Sequence, residues 1–394
     1  MYGLLKVVLC YLFYCILSFC FSSLPWLASA LDLFGFTFAS LFLSWQLAII
    51  LNKSSRRSQR LSVDPENKCV LITGCDTGFG HEIALQLNKT GFTVFAGCLF
   101  KDGPDAQSLV TKAANPEKMN ILQFNVTKES DARSVYETIE KHTEKTGQVF
   151  YSLINNAGIS GFAPMEWGSF KEDVQPVLEV NLNSAVKVVR TMIPLLKRNT
   201  DSRIIMMTSY ATHIAMPFLT SYCVSKCGLK AFSDCLRNDF EHNEVHFNGL
   251  RVITIEPTAY KTGIVGYENL KKTLRSSWQR TNKDVQDSYG EEIFDGMVAF
   301  VSICQFFRWF DFIALKRDLT EVSRTVNTVL LQPNPDHEIR IITKAIEFFS
   351  SLIYNYFPQD LFEAGFSVAA YVGYIFVHEV ALIKRILNAI VNVN

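Results

Sequence analysis

From Lys68 onward the chain alternates short β-branched apolar runs with longer amphipathic stretches, and no other feature narrows its fold as much. The runs are "CVLIT", "TVFAG", "ILQFN", "YSLIN", "RIIMMTS" and "LRVITIE", each followed by a helical segment, and "EIRIIT" returns after an interruption. Runs this short and this continuously apolar are buried on both faces, as happens in a parallel sheet covered by helices. Right-handed crossovers then wind the units into an α/β doubly wound parallel sheet, whose ligands sit beyond the carboxyl ends of the strands.

Directly after the first run stands "TGCDTGFG" with Gly74, Gly78 and Gly80. Glycines here let the backbone turn tightly and approach a pyrophosphate, while the helix that follows offers free N–H groups and a positive dipole end. A glycine turn after the first strand of such a sheet makes it Rossmann-like. "INNAG" closes the fourth run, where small residues pass close under a ligand while the amides fasten neighbouring strands, and Asn181 interrupts the apolar face of the next helix. In "LTSYCVSKCG", Tyr222 and Lys226 stand four residues apart and share one helix face. An ammonium beside a phenol lowers a pKa that is normally about 10, which makes the phenol usable as an acid or base. Thirteen residues earlier Ser209 closes the fifth run, so its hydroxyl projects from the same sheet edge. Cys223 and Cys227 also stand four apart, but no second cysteine pair completes a metal set, and no metal site is expected.

The ends of the chain are of another kind. Residues 1–52 carry only Lys6 and Asp32 as charges and divide at "SSLP" into apolar runs, Gly3 to Phe21 and Leu27 to Leu51. About 20 helical residues span the roughly 30 Å hydrocarbon core of a bilayer. No small-residue cleavage site follows, so 1–52 is expected to be a retained N-terminal transmembrane anchor of two apolar segments, or one span and one interfacial helix. Residues 53–67 form a basic linker with Lys53, Arg56, Arg57 and Arg60, which holds that flank in the cytosol. The 68–343 domain would then face the cytosol. Within it, 263–316 is a Trp- and Phe-rich helical insertion, readable as a substrate lid or as an aromatic core patch. The tail 344–394 is apolar yet interrupted by Glu363, His378 and Glu379, which fits membrane association or docking better than another span. The 38 basic and 38 acidic residues cancel, leaving no electrostatic case for a nucleic-acid partner. The ten cysteines are scattered without paired spacing and are expected to be reduced.

"TGCDTGFG", "NNAG", Asn181, Ser209 and Tyr222-x-x-x-Lys226 together resemble the short-chain dehydrogenase/reductase family from about Cys69 to Thr262. "SKCGLKAFSDCLRNDF", "EPTAYKT" and "SSWQRTNKDVQDSYGEE" resemble its membrane-bound branch of retinol dehydrogenases and 17β-hydroxysteroid dehydrogenase type 2. The resemblance implies that Tyr222 transfers a proton, Ser209 positions the substrate oxygen, Lys226 binds the nicotinamide ribose and lowers the Tyr222 pKa, and Asn181 supports a water relay. It implies a nicotinamide cofactor held by Gly74, Asp76, Thr77, Gly78, Phe79, Gly80, Asn125, Val126, Asn155, Ala157, Gly158, Tyr222, Lys226, Pro257 and Thr262. The chain departs from the family pattern at Thr258, where a glycine follows the proline, and at Asn125, where an aspartate is usual. Its second strand ends in "GCLFKD" without the immediate acid that would favour the free ribose of NAD, and Lys101 could accept a 2′-phosphate. The resembled branch mostly uses NAD in oxidation, so the resemblance implies NAD, with NADP kept open.

The resulting expectation is an NAD(P)-dependent alcohol dehydrogenase acting on a hydroxyl or carbonyl of a steroid or retinoid drawn from the endoplasmic reticulum membrane. A homodimer through the long helices is left open. The rival readings are a 3-hydroxy acid dehydrogenase of the hydroxybutyrate type and a non-catalytic cofactor-binding scaffold.

Overall fold

A computed structural model describes residues 63–213, 218–241, 247–258, 260, 266–306 and 318–341, together with Ser40 and Ser44. The anchor, most of the basic linker, the apolar tail and Thr262 lie outside the described residues, as do 263–265 and 307–316 of the insertion. Among the described residues no helix is long and apolar enough to cross a membrane. The elements below belong to one compact unit, Val63–Leu331 continued from Asp336. A second grouping, Met1–Ser62 with Gln332–Pro335, adds only Ser40, Ser44 and 332–335 to the described residues.

The strands are β1 (Lys68–Thr73), β2 (Thr93–Cys98), β3 (Met119–Gln123), β4 (Val149–Asn155), β5 (Arg203–Met207), β6 (Arg251–Pro257) and β7 (Glu338–Ile341). All pair in parallel in the order β3-β2-β1-β4-β5-β6-β7, so the winding reverses between β1 and β4. That reversal opens a crevice at the carboxyl ends of those two strands. The helices between strands are α1 (Gly78–Thr90), α2 (Pro104–Lys112), α3 (Glu129–Thr146), α4 (Ser184–Leu196) and α5 (Thr220–Glu241). After β6 come α6 (Tyr267–Arg280), α7 (Lys283–Tyr289), α8 (Glu291–Phe306) and α9 (Thr320–Leu331).

Strand alternation sends Val70 and Ile72 to one face, where Ile83 and Leu87 of α1 and Val326 and Leu330 of α9 cover them. Leu71, Leu153 and Ile204 go to the other, against Ile139 of α3 and Val188 and Met192 of α4. Burying each such side chain contributes about 1.5–3 kcal/mol over leaving it exposed, so both helical layers are held to the sheet. A smaller core belongs to the insertion: Trp167, Leu274, Trp278 and Val301 are buried together. Trp278 stacks on Phe294 at 5.0 Å and 7°, and Trp167 lies 4.6 Å from Trp278. These aromatic rings face one another, so the packing reading of the insertion holds for Trp278, Tyr289 and Phe294.

The helix expected before β5 is not regular. Two wide π turns, Phe170–Val174 and Glu179–Asn183, flank a single α turn, Gln175–Leu178, ahead of α4. Such π bulges re-aim side chains and recur at functional sites. The second one carries Asn181.

Candidate active site

The glycine turn is shaped by contacts that leave no room for a side chain. Gly74 and Gly78 adopt φ of 71° and 67°, a region that L residues avoid. A Cβ on Gly80 would lie 2.2 Å from the Gly74 carbonyl oxygen and 2.6 Å from Asn156 Nδ2. Asn156 is the clamp: its Nδ2 donates to the carbonyls of Thr73 (2.9 Å) and Gly74 (3.1 Å). In return Thr73 Oγ1 accepts from the backbone N–H of Asn156 and of Ala157, each at 3.0 Å. β1 and β4 are thereby locked at the crevice, with Ala157 packed under Gly74.

Behind the turn, α1 begins after Thr77 with no side-chain cap and no acidic residue in its first turn. Its N–H groups and dipole are left for an anion. A tight glycine cradle, an uncapped helix start and a switch point fit the pyrophosphate of a dinucleotide.

The other expected cofactor residues divide. Asp76 lies beside the cradle and accepts from the backbone N–H of Leu99 and Phe100, both at 2.9 Å, fixing the loop after β2. Asn125 uses its side-chain oxygen on Thr127 N (3.1 Å) and Thr127 Oγ1 (2.8 Å), so it shapes its own turn, and Val126 beside it is buried. Asn155 is buried, and its Nδ2 donates to the thioether Sδ of Met206 at 3.4 Å, which joins β4 to β5. Phe79 turns its ring edge-on to Tyr260, 5.2 Å away, and packs in the core. Pro257 ends β6 at the same sheet edge.

Ser209 follows β5 and caps a short 3-10 turn, Tyr210–Thr212, with Oγ accepting from Ala211 N at 3.2 Å. The same hydroxyl lies near enough to the phenol of Tyr222 to interact with it and favour its ionised form. Lys226, one turn further along α5, is buried and donates from Nζ to the Met207 carbonyl at 2.9 Å. Its Nζ stands 5.8 Å from the centre of the Tyr222 ring. A Cβ on Gly158 would meet Asn181 Oδ1 at 3.3 Å and Lys226 Nζ at 3.6 Å, so Gly158 lets the chain pass beneath both.

One expectation is corrected here. The phenol of Tyr222 is raised, not lowered: burial pushes it up, and the Ser209 hydroxyl offsets only part of that. Burial in turn pushes Lys226 down to about 8. Desolvation therefore outweighs the ammonium's field. Asn181 spends its side-chain amide on protein partners. Its Oδ1 accepts from Ile159 N (2.8 Å), and its Nδ2 donates to Ile159 O (2.9 Å) and Ser225 Oγ (2.9 Å). Ser225 Oγ then donates to the carbonyl of Tyr222 at 2.7 Å. Asn181 thus positions the turn of α5 that carries Tyr222.

Beside Ser221 opens a cavity of about 220 Å³ walled by Ile159, Phe162, Met165 and Phe218. Phe218 has φ of 66°, an outlier for a bulky residue, and its carbonyl accepts from Ala163 N at 3.0 Å. The far wall is bolted by Asp173, whose carboxylate accepts from Ser169 N (2.8 Å), Ser277 Oγ (2.6 Å) and Arg280 Nε (3.2 Å). Burial pushes the Asp173 carboxyl up, but the hydrogen bonds from Arg280 and Ser277 overcome this and leave it below the ordinary range. Replacing Asp173 by Ala leaves these donors unpaired, and thermal unfolding of the variant is expected to show a loss of about 1–3 kcal/mol.

Sequence reading singled out the amides of "NNAG" as fasteners between strands, which Asn156 is, but missed its partner Thr73. Cys227, half of the thiol pair, is exposed, and its Sγ approaches only the Thr212 carbonyl at 3.9 Å.

Residues 68–273 match the family model described as short chain dehydrogenase. The mitochondrial D-beta-hydroxybutyrate dehydrogenase of Rattus norvegicus is 34% identical over 248 residues, 62% of this chain and 70% of that protein. Retinol dehydrogenase 5 of Homo sapiens is 34% identical over 277 residues, 70% of this chain and 81% of that protein. The crystal structure of a short-chain dehydrogenase from Streptomyces avermitilis superposes with a TM-score of 0.52 at 16% identity, covering 77% of this chain and 97% of that one, and supports the fold alone.

Proposed function

The chain belongs to the short-chain dehydrogenase family and is a nicotinamide-dependent alcohol dehydrogenase; from that premise we propose that it interconverts a lipophilic secondary or allylic alcohol, of the steroid or retinoid class, with its carbonyl, using NAD. The observation that carries this reading is the hydroxyl pair of Ser209 and Tyr222 beside the buried ammonium of Lys226.

In the oxidative direction the nicotinamide, when bound, supplies the hydride acceptor. Ser209 Oγ, held by Ala211 N, orients the alcohol oxygen toward the Tyr222 phenolate, which takes the hydroxyl proton. Lys226 would hold the nicotinamide ribose and stabilise the phenolate, and Asn181 with Ser225 keeps that turn of α5 in place. Gly74, Gly78 and Gly80 with the start of α1 would hold the pyrophosphate.

The lipophilic substrate is supported by the cavity wall of Ile159, Phe162, Met165 and Phe218. Among the described lining residues the one cation is Arg280, and it is already paired with Asp173 and with Glu172 at 3.1 Å. A substrate carboxylate would find no unpaired cation among the described lining residues, which counts against a 3-hydroxy acid even though hydroxybutyrate dehydrogenases are among the relatives. The likeness to retinol dehydrogenase 5 also runs over the longer stretch. α6 to α8 would form the outer wall, or lid, of the site. The apolar runs in 1–52 and the basic 53–67 support an anchored protein of the endoplasmic reticulum with this domain in the cytosol. The test is a panel of retinol, hydroxysteroids and 3-hydroxybutyrate with full-length protein in detergent. A higher kcat/KM for a lipid alcohol is expected, and a higher value for 3-hydroxybutyrate would contradict the reading.

The preference for NAD rests on Asp76. The end of β2 is where this fold reads the adenosine ribose. There the Asp76 carboxylate already occupies the amides of Leu99 and Phe100 and sets a negative charge against a 2′-phosphate. In an Asp76→Ala variant the ratio of kcat/KM for NAD over NADP is expected to fall about tenfold. An unchanged ratio would remove Asp76 from cofactor choice.

A further inference from the structure

The segment carrying Ser209 is fastened to β6 at both ends. Before it, Thr208 donates its N–H (2.9 Å) and its Oγ1 (3.1 Å) to the carbonyl of Ile255. After the 3-10 turn, His213 meets the next residue of β6: its Nε2 lies 2.8 Å from Glu256 Oε2. With the carboxylate as acceptor, Nε2 carries the proton. Between these points the turn closes on itself, with Thr212 N and Thr212 Oγ1 both on the Ser209 carbonyl at 3.1 and 2.8 Å.

Glu256 is fully buried, which gives the fastening its stiffness. Arg340 Nε reaches its Oε2 at 3.3 Å from β7, and Lys230 Nζ stands 3.9 Å from Oε1. Lys230 also contacts Glu338 Oε2 at 3.0 Å and Asp234 Oδ2 at 3.1 Å. His213, Glu256 and Glu338 lie close enough to share a metal ion. Lys230 and Arg340 already neutralise both carboxylates, so a divalent cation would sit against two fixed positive charges. The grouping is an ion-pair node joining the Ser209 turn, α5, β6 and β7. Lys230 follows Lys226 by one helical turn, so the node also grips the helix that carries Tyr222.

We infer that His213 and Glu256 are positioning residues of the dehydrogenase: their hydrogen bond pins the far end of the Ser209 turn to the sheet and holds the Ser209 hydroxyl on Tyr222. This rests on the dehydrogenase reading of Ser209 and Tyr222. Neither side chain touches the reacting atoms. A small displacement of a positioning group costs about tenfold or more in rate.

The experiment compares His213→Ala, His213→Gln, Ser209→Ala and the Ser209→Ala/His213→Ala pair in the full-length protein, with kcat, KM for NAD and Tm measured for each. His213→Ala is expected to lower kcat about tenfold while KM for NAD stays within about twofold. His213→Gln, whose side-chain NH₂ can donate to Glu256, restores most of the rate. In the Ser209→Ala background the loss of His213 costs less than about twofold more, because both changes act through one hydroxyl. An unchanged kcat in His213→Ala overturns the inference, as do multiplicative losses in the double variant or a fall in Tm with a parallel rise in KM. Activity that survives Tyr222→Phe overturns instead the proposed function itself, so the two failures are distinguishable.

Discussion

Tyr222→Phe lowers kcat for alcohol oxidation by about 10²- to 10⁴-fold, the range that a positioned acid or base supplies, and leaves NAD binding within about twofold. The change removes one oxygen. The ring stays, the α5 helix keeps its Ser225 bond to the residue 222 carbonyl, and Lys226 keeps its bond to Met207. What is lost is the group that lies near Ser209 and can carry the alcohol proton. The same chemistry gives a pH signature in the wild-type enzyme. Oxidation needs the phenolate, and burial raises the phenol, so the rate climbs as pH increases from neutrality. The Lys226 ammonium, pushed down to about 8 by burial, loses its charge within that climb, and the profile flattens from there. The reverse reduction needs the protonated phenol, which the raised phenol keeps available through that span, so its rate shows no matching alkaline rise and falls only at higher pH. A stopped-time assay of both directions across the pH range reads this, and a profile with no alkaline rise in oxidation would contradict it.

Gly80→Ala is expected to weaken NAD binding by more than about tenfold and to lower stability by about 1–3 kcal/mol, the usual cost of overfilling a packed site. A Cβ there meets a backbone oxygen at 2.2 Å and the Asn156 amide at 2.6 Å, and neither belongs to a flexible side chain that could swing away. To admit the methyl, the Gly74 carbonyl must move or Asn156 must release Thr73 and Gly74. Either response opens the cradle between β1 and β4. Gly147→Ala is the control. Gly147 also has a positive φ, 71°, but a Cβ there meets nothing within 4 Å. It is expected to cost about 1 kcal/mol of strain and to leave NAD affinity alone. Calorimetric titration with NAD and thermal unfolding of both variants separate the cradle from a general glycine effect. Equal NAD affinity in Gly80→Ala and wild type would contradict the cradle.

The sheet was legible because its strands are buried on both faces and so announce themselves as short apolar runs; every run from "CVLIT" to "EIRIIT" became a strand. Ser209, Tyr222 and Lys226 came together as their places at the sheet edge implied. What spacing could not express was depth. Tyr222 and Lys226 at i and i+4 predicted a lowered phenol, yet burial of both groups dominates. Nor could local pattern show contacts across long stretches of chain. Asn156 meets Thr73 across 83 residues, and His213 meets Glu256 across 43. The π turn at Glu179–Asn183 was hidden for another reason: its sequence has helical periodicity, while the contacts Asn181 makes there, with Ile159 and Ser225, lie far off in the chain. The Trp and Phe of the insertion were read correctly as clustered and ambiguously as to purpose. Trp278 and Phe294 pair with each other, while the same helix α6 lends Thr273, Ser276, Ser277 and Arg280 to the cavity wall, opposite the β4 loop and Phe218.

The central claim is that this chain moves a hydride from a lipophilic carbinol carbon to NAD while Tyr222 takes the hydroxyl proton. Turnover of a retinoid or hydroxysteroid deuterated at the carbinol carbon, with mass spectrometry of the recovered cofactor, tests it most directly. One deuterium on the reduced nicotinamide from wild-type protein, and none formed by Tyr222→Phe, is the predicted result. Reduced nicotinamide free of deuterium, or equal transfer by the variant, would contradict the account.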